Sequence, residues 1–178
     1  PPSQWTATAS GAVVVGRAGK GVRVSEVCIG RVQDMGVTDM NNMGSAMAPA
    51  AADTLANFFE DTGTRPEDYA QIVTGDLGLV GSRLNRELME RRGYPLGENY
   101  TDCGLLLFDR ERQDVHAGGS GCGCSASVLC AHFLPMLERG ELRDLLFCPT
   151  GALMSPTSSQ QGESIPGICH VLHLVGCP

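Results

Sequence analysis

Residues 118–130 read GGSGCGCSASVLC: glycines at 118, 119, 121 and 123 and cysteines at 122 and 124 stand directly before a helix-forming run. A stretch of this kind can be a metal clip, a redox pair, an anion cradle or a tight turn. Structural zinc takes ligand pairs two to four residues apart with a second pair elsewhere. Here a single residue separates Cys122 from Cys124 and the other cysteines are scattered, so no metal site is expected. The C-x-x-C spacing of a redox pair is missing as well. What the pattern allows is a glycine-rich loop opening a helix, whose free amides and dipole favour an anion. Gly121, Gly123 and Ser125 belong to that reading, with Cys122 and Cys124 between them. The loop fits neither G-x-x-x-x-G-K-[ST] nor G-x-G-x-x-G, so nucleotide motifs fail. The plain alternative is tight packing of loop on helix. A nucleophilic role for Cys122, Cys124 or Cys148 needs a base or a helix terminus. His116 is the nearest imidazole in sequence, six residues before Cys122.

Outward from this loop, strand and helix patterns alternate. GAVVVG (11–16) reads as a short buried strand and VRVSEVCIGRV (22–32) as a longer one. AMAPAAADTLANFFEDTG (46–63) is helical, with Leu55, Phe58 and Phe59 at helix spacing and Gly63 closing it. YAQIVTGDLG (69–78) is a strand running into a turn. LVGSRLNRELMERRGY (79–94) is an amphipathic helix with Leu84, Leu88 and Arg91 on one spacing. YTDCGLLLFD (100–109) is a weak element, and the glycine-rich stretch opens a helix that runs to about Gly140. DLLFCPTGAL (144–153) and ICHVLHLVG (168–176) are strands, separated by the long polar loop MSPTSSQQGESIPG (154–167). On the last strand His170 and His173 fall on opposite faces. This order predicts an α/β layered domain.

Two further segments are candidates for binding. Asp76 stands where a strand ends and a helix begins, the place at which open α/β sheets gather ligands; a cap or Asx-turn is its plain alternative. In the polar loop, Ser155, Ser158 and Gln160 can each bond a polar ligand, or simply be solvated.

The net charge of −7, with one lysine beside twelve arginines and no basic run, argues against a nucleic-acid partner. No run of eighteen apolar residues is present, so nothing is predicted to span a bilayer. PPSQWTATASG lacks the charged and apolar regions of a signal peptide and an initiator methionine, which predicts a piece of a longer chain. The eight cysteines, several of them inside apolar runs, read as free and mostly buried thiols.

DMGVTDMNNMGSAMAPAAADTL, IVTGDLG, DCGLLLFDRERQDVHAGGSGCGCSASV and TGALMSPTSSQQGESIPGICH together resemble the stage V sporulation protein AD family of endospore-forming bacteria, from Trp5 to His170. The resemblance implies a thiolase-like fold of two similar halves, of which this chain is the C-terminal one. Residues 1–21 would then be the last strand of the first half with a linker, and 22–178 the second half. In catalytic relatives of that fold the acyl-carrying cysteine lies in the first half, and the second half supplies His or Asn from two loops. TGDLG and GSGCGCSAS occupy those loops here, and neither contains His or Asn. The resemblance therefore implies a non-enzymatic component, without cofactor, that binds dipicolinic acid or its calcium chelate; a thiolase-like acyltransferase and a pure scaffold of the complex are the alternatives. Its partners would be the other proteins of a spore membrane channel complex, and its place the periphery of the inner spore membrane. A half of such a fold would expose an apolar face, which predicts pairing with a second copy or with the missing half.

Overall fold

The computed structural model describes residues 1–176. Five strands form the central sheet in the order β2 (Arg23–Cys28), β9 (Val171–Val175), β6 (Asp144–Cys148), β3 (Ile72–Thr74), β4 (Tyr100–Asp102). β3 lies parallel to both β4 and β6, while β9 is antiparallel to β6 and β2. Parallel neighbours need crossover connections, and helices provide them. α2 (Gly78–Arg91) joins β3 to β4. Three short helices join β4 to β6: α3 (Cys103–Leu106), α4 (Cys122–Val128) and α5 (Leu134–Glu138).

Side chains alternate along each strand, so the sheet feeds two cores. Ile72 and Leu146 face α1 (Met43–Thr62) and α2, among Met47, Leu55, Phe59 and Met89. Val73, Leu145 and Phe147 face the other way, onto Cys124, Val128, Phe133 and Leu137. Helices cover both faces of a mixed sheet, the layered α/β arrangement expected from the alternating pattern.

α1 follows its spacing closely: Leu55, Phe58 and Phe59 are all buried. Gly63 ends it in the left-handed conformation (φ 65°), and the Thr64 amide returns to the Phe59 carbonyl at 3.1 Å. α2 departs from expectation. Its buried stripe is Gly81, Ser82, Asn85 and Met89, and Leu84 and Leu88 are only partly covered. The shift comes from the close crossing of α1. A Cβ on Gly81 would stand 2.8 Å from Gly44 Cα, and one on Gly44 would stand 2.3 Å from the Leu77 carbonyl oxygen.

The segment 11–16 does not form the predicted strand; Val13, Val14 and Val15 are exposed. A strand needs a neighbour to satisfy its amides, and the N-terminal segment pairs earlier in the chain, through β1 (Trp5–Thr6) with β5 (Gly119–Ser120) and a bridge between Gln4 and His116. The polar loop at 154–167 contains a short helix, α6 (Pro156–Gln160). The last predicted strand is two: β8 (Gly167–Cys169) pairs with β7 (Thr150–Ala152), and β9 joins the main sheet. His170 marks the break, its amide donating to the Pro149 carbonyl at 3.3 Å and its Nδ1 accepting from the Gly30 amide at 3.1 Å. The helix after the glycine-rich loop widens into a π-helical turn at Leu129–Phe133. Pro135 follows, which has no amide to donate and crowds the carbonyl four residues earlier.

Candidate functional site

At the C-terminal ends of β3, β4 and β6 three turns converge, and the Asp76 carboxylate ties them. Its Oδ2 accepts the Gly121 amide at 2.7 Å and the Ser120 hydroxyl at 3.4 Å. Its Oδ1 accepts the Thr150 hydroxyl at 2.9 Å, and Thr150 Oγ1 in turn accepts the Asp76 amide at 3.0 Å. One side chain thus links the β3–α2 turn, the glycine-rich loop and the start of β7. Burial raises the pKa of Asp76 despite these donors. From the N-terminal segment, Gln4 Nε2 donates to the carbonyls of Asp76 (2.9 Å) and Gly119 (2.7 Å), clamping the same two turns.

Beneath Asp76 lies a second carboxylate, Asp102, with no exposed surface. Its Oδ2 accepts the Thr74 hydroxyl at 2.7 Å and the Leu77 amide at 2.9 Å. Its Oδ1 accepts the amides of Gly78 and Gly104, both at 3.0 Å. Burial, more than anything else, pushes its pKa up to about 7, and the nearby Asp76 charge adds to the shift. The Thr74 hydroxyl continues to Tyr100 Oη at 3.0 Å, and Asn85 Nδ2 donates to that oxygen at 3.1 Å.

The glycines of the loop are needed for contact as much as for turning. Gly121, the residue before α4, has φ 93°, and Gly118 has φ 116°, a region that favours glycine. A Cβ on Gly123 would stand 2.2 Å from the Ala9 carbonyl oxygen, so the N-terminal segment rests on that helix turn. Cys122 is exposed, Ser125 is half-buried, and Cys124 is fully buried. Burial and the carboxylates of Asp76 and Asp102 push the Cys124 thiol up to about 12, which keeps it protonated and poor as a nucleophile. Cys148 is also buried and raised well above the ordinary thiol value.

Of the residues singled out from sequence, Asp76, Gly121, Cys122, Gly123, Cys124 and Ser125 come together on this turn cluster. Ser155, Ser158 and Gln160 sit on and beside α6. Ser155 accepts the Ser158 amide at 3.1 Å, and Ser158 Oγ accepts the Ser155 amide at 3.1 Å, a reciprocal cap. No hydrogen bond joins α6 to the Asp76 cluster among the described residues. Sequence reasoning missed Asp102, Thr150 and Gln4. Only DCG in the quoted blocks hinted at Asp102, which caps α3 by accepting from Gly104.

The described cysteines are all free; Cys177 lies outside the described residues. Among the described residues no group of three or more His, Cys, Asp or Glu side chains is placed to hold a metal ion, and no helix is long and apolar enough to cross a membrane.

Residues 1–175 match the family described as Stage V sporulation protein AD (SpoVAD). Stage V sporulation protein AD of Bacillus subtilis (strain 168) is 46% identical over 165 residues. The chain belongs to the stage V sporulation protein AD family. That alignment covers 93% of this chain and 48% of the B. subtilis protein, so the chain spans about half the length of its SpoVAD relative. Among solved structures, a 3-oxoacyl-(acyl-carrier-protein) synthase III overlaps 89% of this chain and 51% of its own, at 10% identity and a TM-score of 0.48. The 3-oxoacyl-[acyl-carrier-protein] synthase III of Aquifex aeolicus VF5 overlaps 89% and 46%, at 9% identity and a TM-score of 0.42. Family membership makes this a sporulation protein.

Proposed function

We propose that this chain is the C-terminal half of a thiolase-like, non-enzymatic protein that binds dipicolinic acid for a spore membrane channel complex. In this reading it works at the periphery of the inner spore membrane. The observation that supports the reading is the setting of the cysteines at the strand-end cluster: Cys103 and Cys124 are both fully buried near the carboxylates of Asp76 and Asp102, and burial raises both thiols. No His or Asn stands in the TGDLG turn or in residues 118–125 to activate either or to stabilise an oxyanion. The cluster offers polar lining without bond-making groups.

The ligand groups proposed are the backbone of residues Gly121, Cys122, Gly123, Cys124 and Ser125 and the side chains of Cys122 and Ser125, with Ser155, Ser158 and Gln160 at the rim. Asp76 already holds the Gly121 amide, so a bare dicarboxylate would meet a like charge there. A calcium ion chelated by the ligand would relieve that repulsion, which favours the calcium chelate over the free dianion. Val13, Val14, Val15, Val24, Val27 and Ile29 are exposed, apolar side chains of the kind that an interface covers. We assign this exposed apolar surface to pairing with a second copy or with the other half of a full-length relative.

The test uses the intact protein. Calorimetry with calcium dipicolinate should give saturable heat, and incubation with acyl-CoA followed by intact-mass measurement should give no adduct. An acyl adduct on any cysteine, or no heat from folded protein, would reject the reading.

A further inference from the structure

Residues 3–11 stand outside the five-stranded sheet, yet they are inlaid in the cluster at its strand ends. The Ala117 amide donates to the Ser3 carbonyl at 3.0 Å, the Trp5 amide to the Gly118 carbonyl at 2.9 Å and the Ala7 amide to the Ser120 carbonyl at 2.8 Å. Ala7 is buried in the core that holds Cys103, Cys124 and Val128. Farther along, a Cβ on Gly11 would stand 2.4 Å from the Ala126 carbonyl oxygen. The segment therefore follows the glycine-rich loop and α4 in backbone contact, which leaves no room for a side chain at Gly11 or Gly123.

From this segment the Gln4 side chain enters the cluster. Its Nε2 lies 2.9 Å from the Asp76 carbonyl oxygen and 2.7 Å from that of Gly119. Two carbonyl oxygens call for two hydrogens, and a primary carboxamide carries both on one uncharged nitrogen. Gly78 makes the room: a Cβ there would stand 2.6 Å from Gln4 Nε2 and 2.8 Å from its Cδ. The spacing between the Asp76 turn and the glycine-rich loop is thus set twice. Once it is set from within, by the Gly121 amide on Asp76 Oδ2, and once from the N-terminal segment, by Gln4.

We propose that Gln4 is a positioning residue of the candidate site, and that residues 3–11 belong to that site. The carboxamide fixes how far the glycine-rich loop stands from the Asp76 turn, and so the shape that residues 121–125 offer a ligand. Without its two donors the loop drifts from the turn while the sheet beneath stays intact. Ile72, Val73, Leu145 and Leu146 are held by strand pairing and by full burial, neither of which involves Gln4. Residues 22–178 alone would therefore lack a part of the site. The effect on ligand capture rests on the binding role proposed above; the hold on the loop does not.

The intact protein tests the hold without ligand. In the wild type, both Nε2 hydrogens of Gln4 should exchange with solvent at least about tenfold more slowly than those of free glutamine. NMR reads them as the pair of signals that vanishes in Gln4→Met, a variant that keeps the side-chain length and removes both donors. In that variant the Gly118–Gly121 amides should exchange at least about tenfold faster, with Ile72–Thr74 and Leu145–Phe147 unchanged. Gln4→Glu, which keeps the shape and puts an oxygen in place of the nitrogen, should do the same. Free-glutamine exchange in the wild type, loop amides that exchange as in the wild type in either variant, or a sheet that opens together with the loop would each overturn the proposal. Calcium dipicolinate titrated into the wild type and Gln4→Met then separates the two ideas. Affinity at least about tenfold weaker in the variant supports the role of Gln4 in the site, and equal affinity overturns it. No binding to the wild type rejects the binding role and leaves the hold on the loop standing.

Discussion

The Gly121 amide donates to the Asp76 carboxylate at 2.7 Å across 45 residues of sequence. That bond places a charged group of the chain itself at the start of α4, where a helix most attracts an anion. The site is therefore closed by its own acid, and Thr150 locks the acid from the other side.

Removing that acid should cost more than neutralising it. Asp76→Ala leaves the Gly121 amide and Thr150 hydroxyl without their partner and should destabilise by about 1–3 kcal/mol. Asp76→Asn retains an acceptor for Gly121 and should cost less. Urea denaturation of the two variants should rank them in that order.

Stability should fall as pH rises through neutrality. The pKa values of Asp76 and Asp102 are both raised by burial. Their contribution is complete below about pH 4 and fades as pH climbs through the folded values, near 7 for Asp102. A loss of roughly 1–4 kcal/mol between pH 5 and 8.5 is expected from thermal or urea unfolding. Glu26 and Asp34, both lowered, act in the opposite sense, but only at more acid pH.

Much of the layered fold could be read from residue patterns, because local spacing encodes it. Leu55, Phe58, Phe59 and the αL glycine at 63 identify α1 without any knowledge of its neighbours. Asp76 could be placed at a strand end for the same reason. What depended on distant partners could not be read. GAVVVG has a strand's composition but no pairing strand among the described residues. The three-residue strands β7 and β8 are too short to show alternation, and only their pairing defines them. Asp102 looks like any loop aspartate until Leu77 and Gly78, 25 and 24 residues earlier, are folded onto it.

Adding a methyl group where α1 and α2 cross should destabilise despite better helix propensity. Gly81→Ala gains up to about 1 kcal/mol of propensity but drives a Cβ to 2.8 Å from Gly44. The helices must part, and a lower melting temperature is expected from calorimetry. An unchanged or higher one would mean that the crossing has slack.

Thiol reactivity should separate neighbouring cysteines. Cys122 is exposed and Cys124 is buried with its thiol pushed up to about 12. Alkylation at pH 8 followed by peptide mass mapping should label Cys122 at least about tenfold faster, with Cys124, Cys103, Cys148 and Cys169 labelled only after unfolding.

The location of the ligand is the most direct test of the account. Hydrogen–deuterium exchange of the intact protein, with and without calcium dipicolinate, should show protection confined to residues 118–125 and 150–160. Protection elsewhere would contradict it, for example at the cleft of about 470 Å³ lined by Tyr69, Arg143 and His173, as would no protection at saturating ligand.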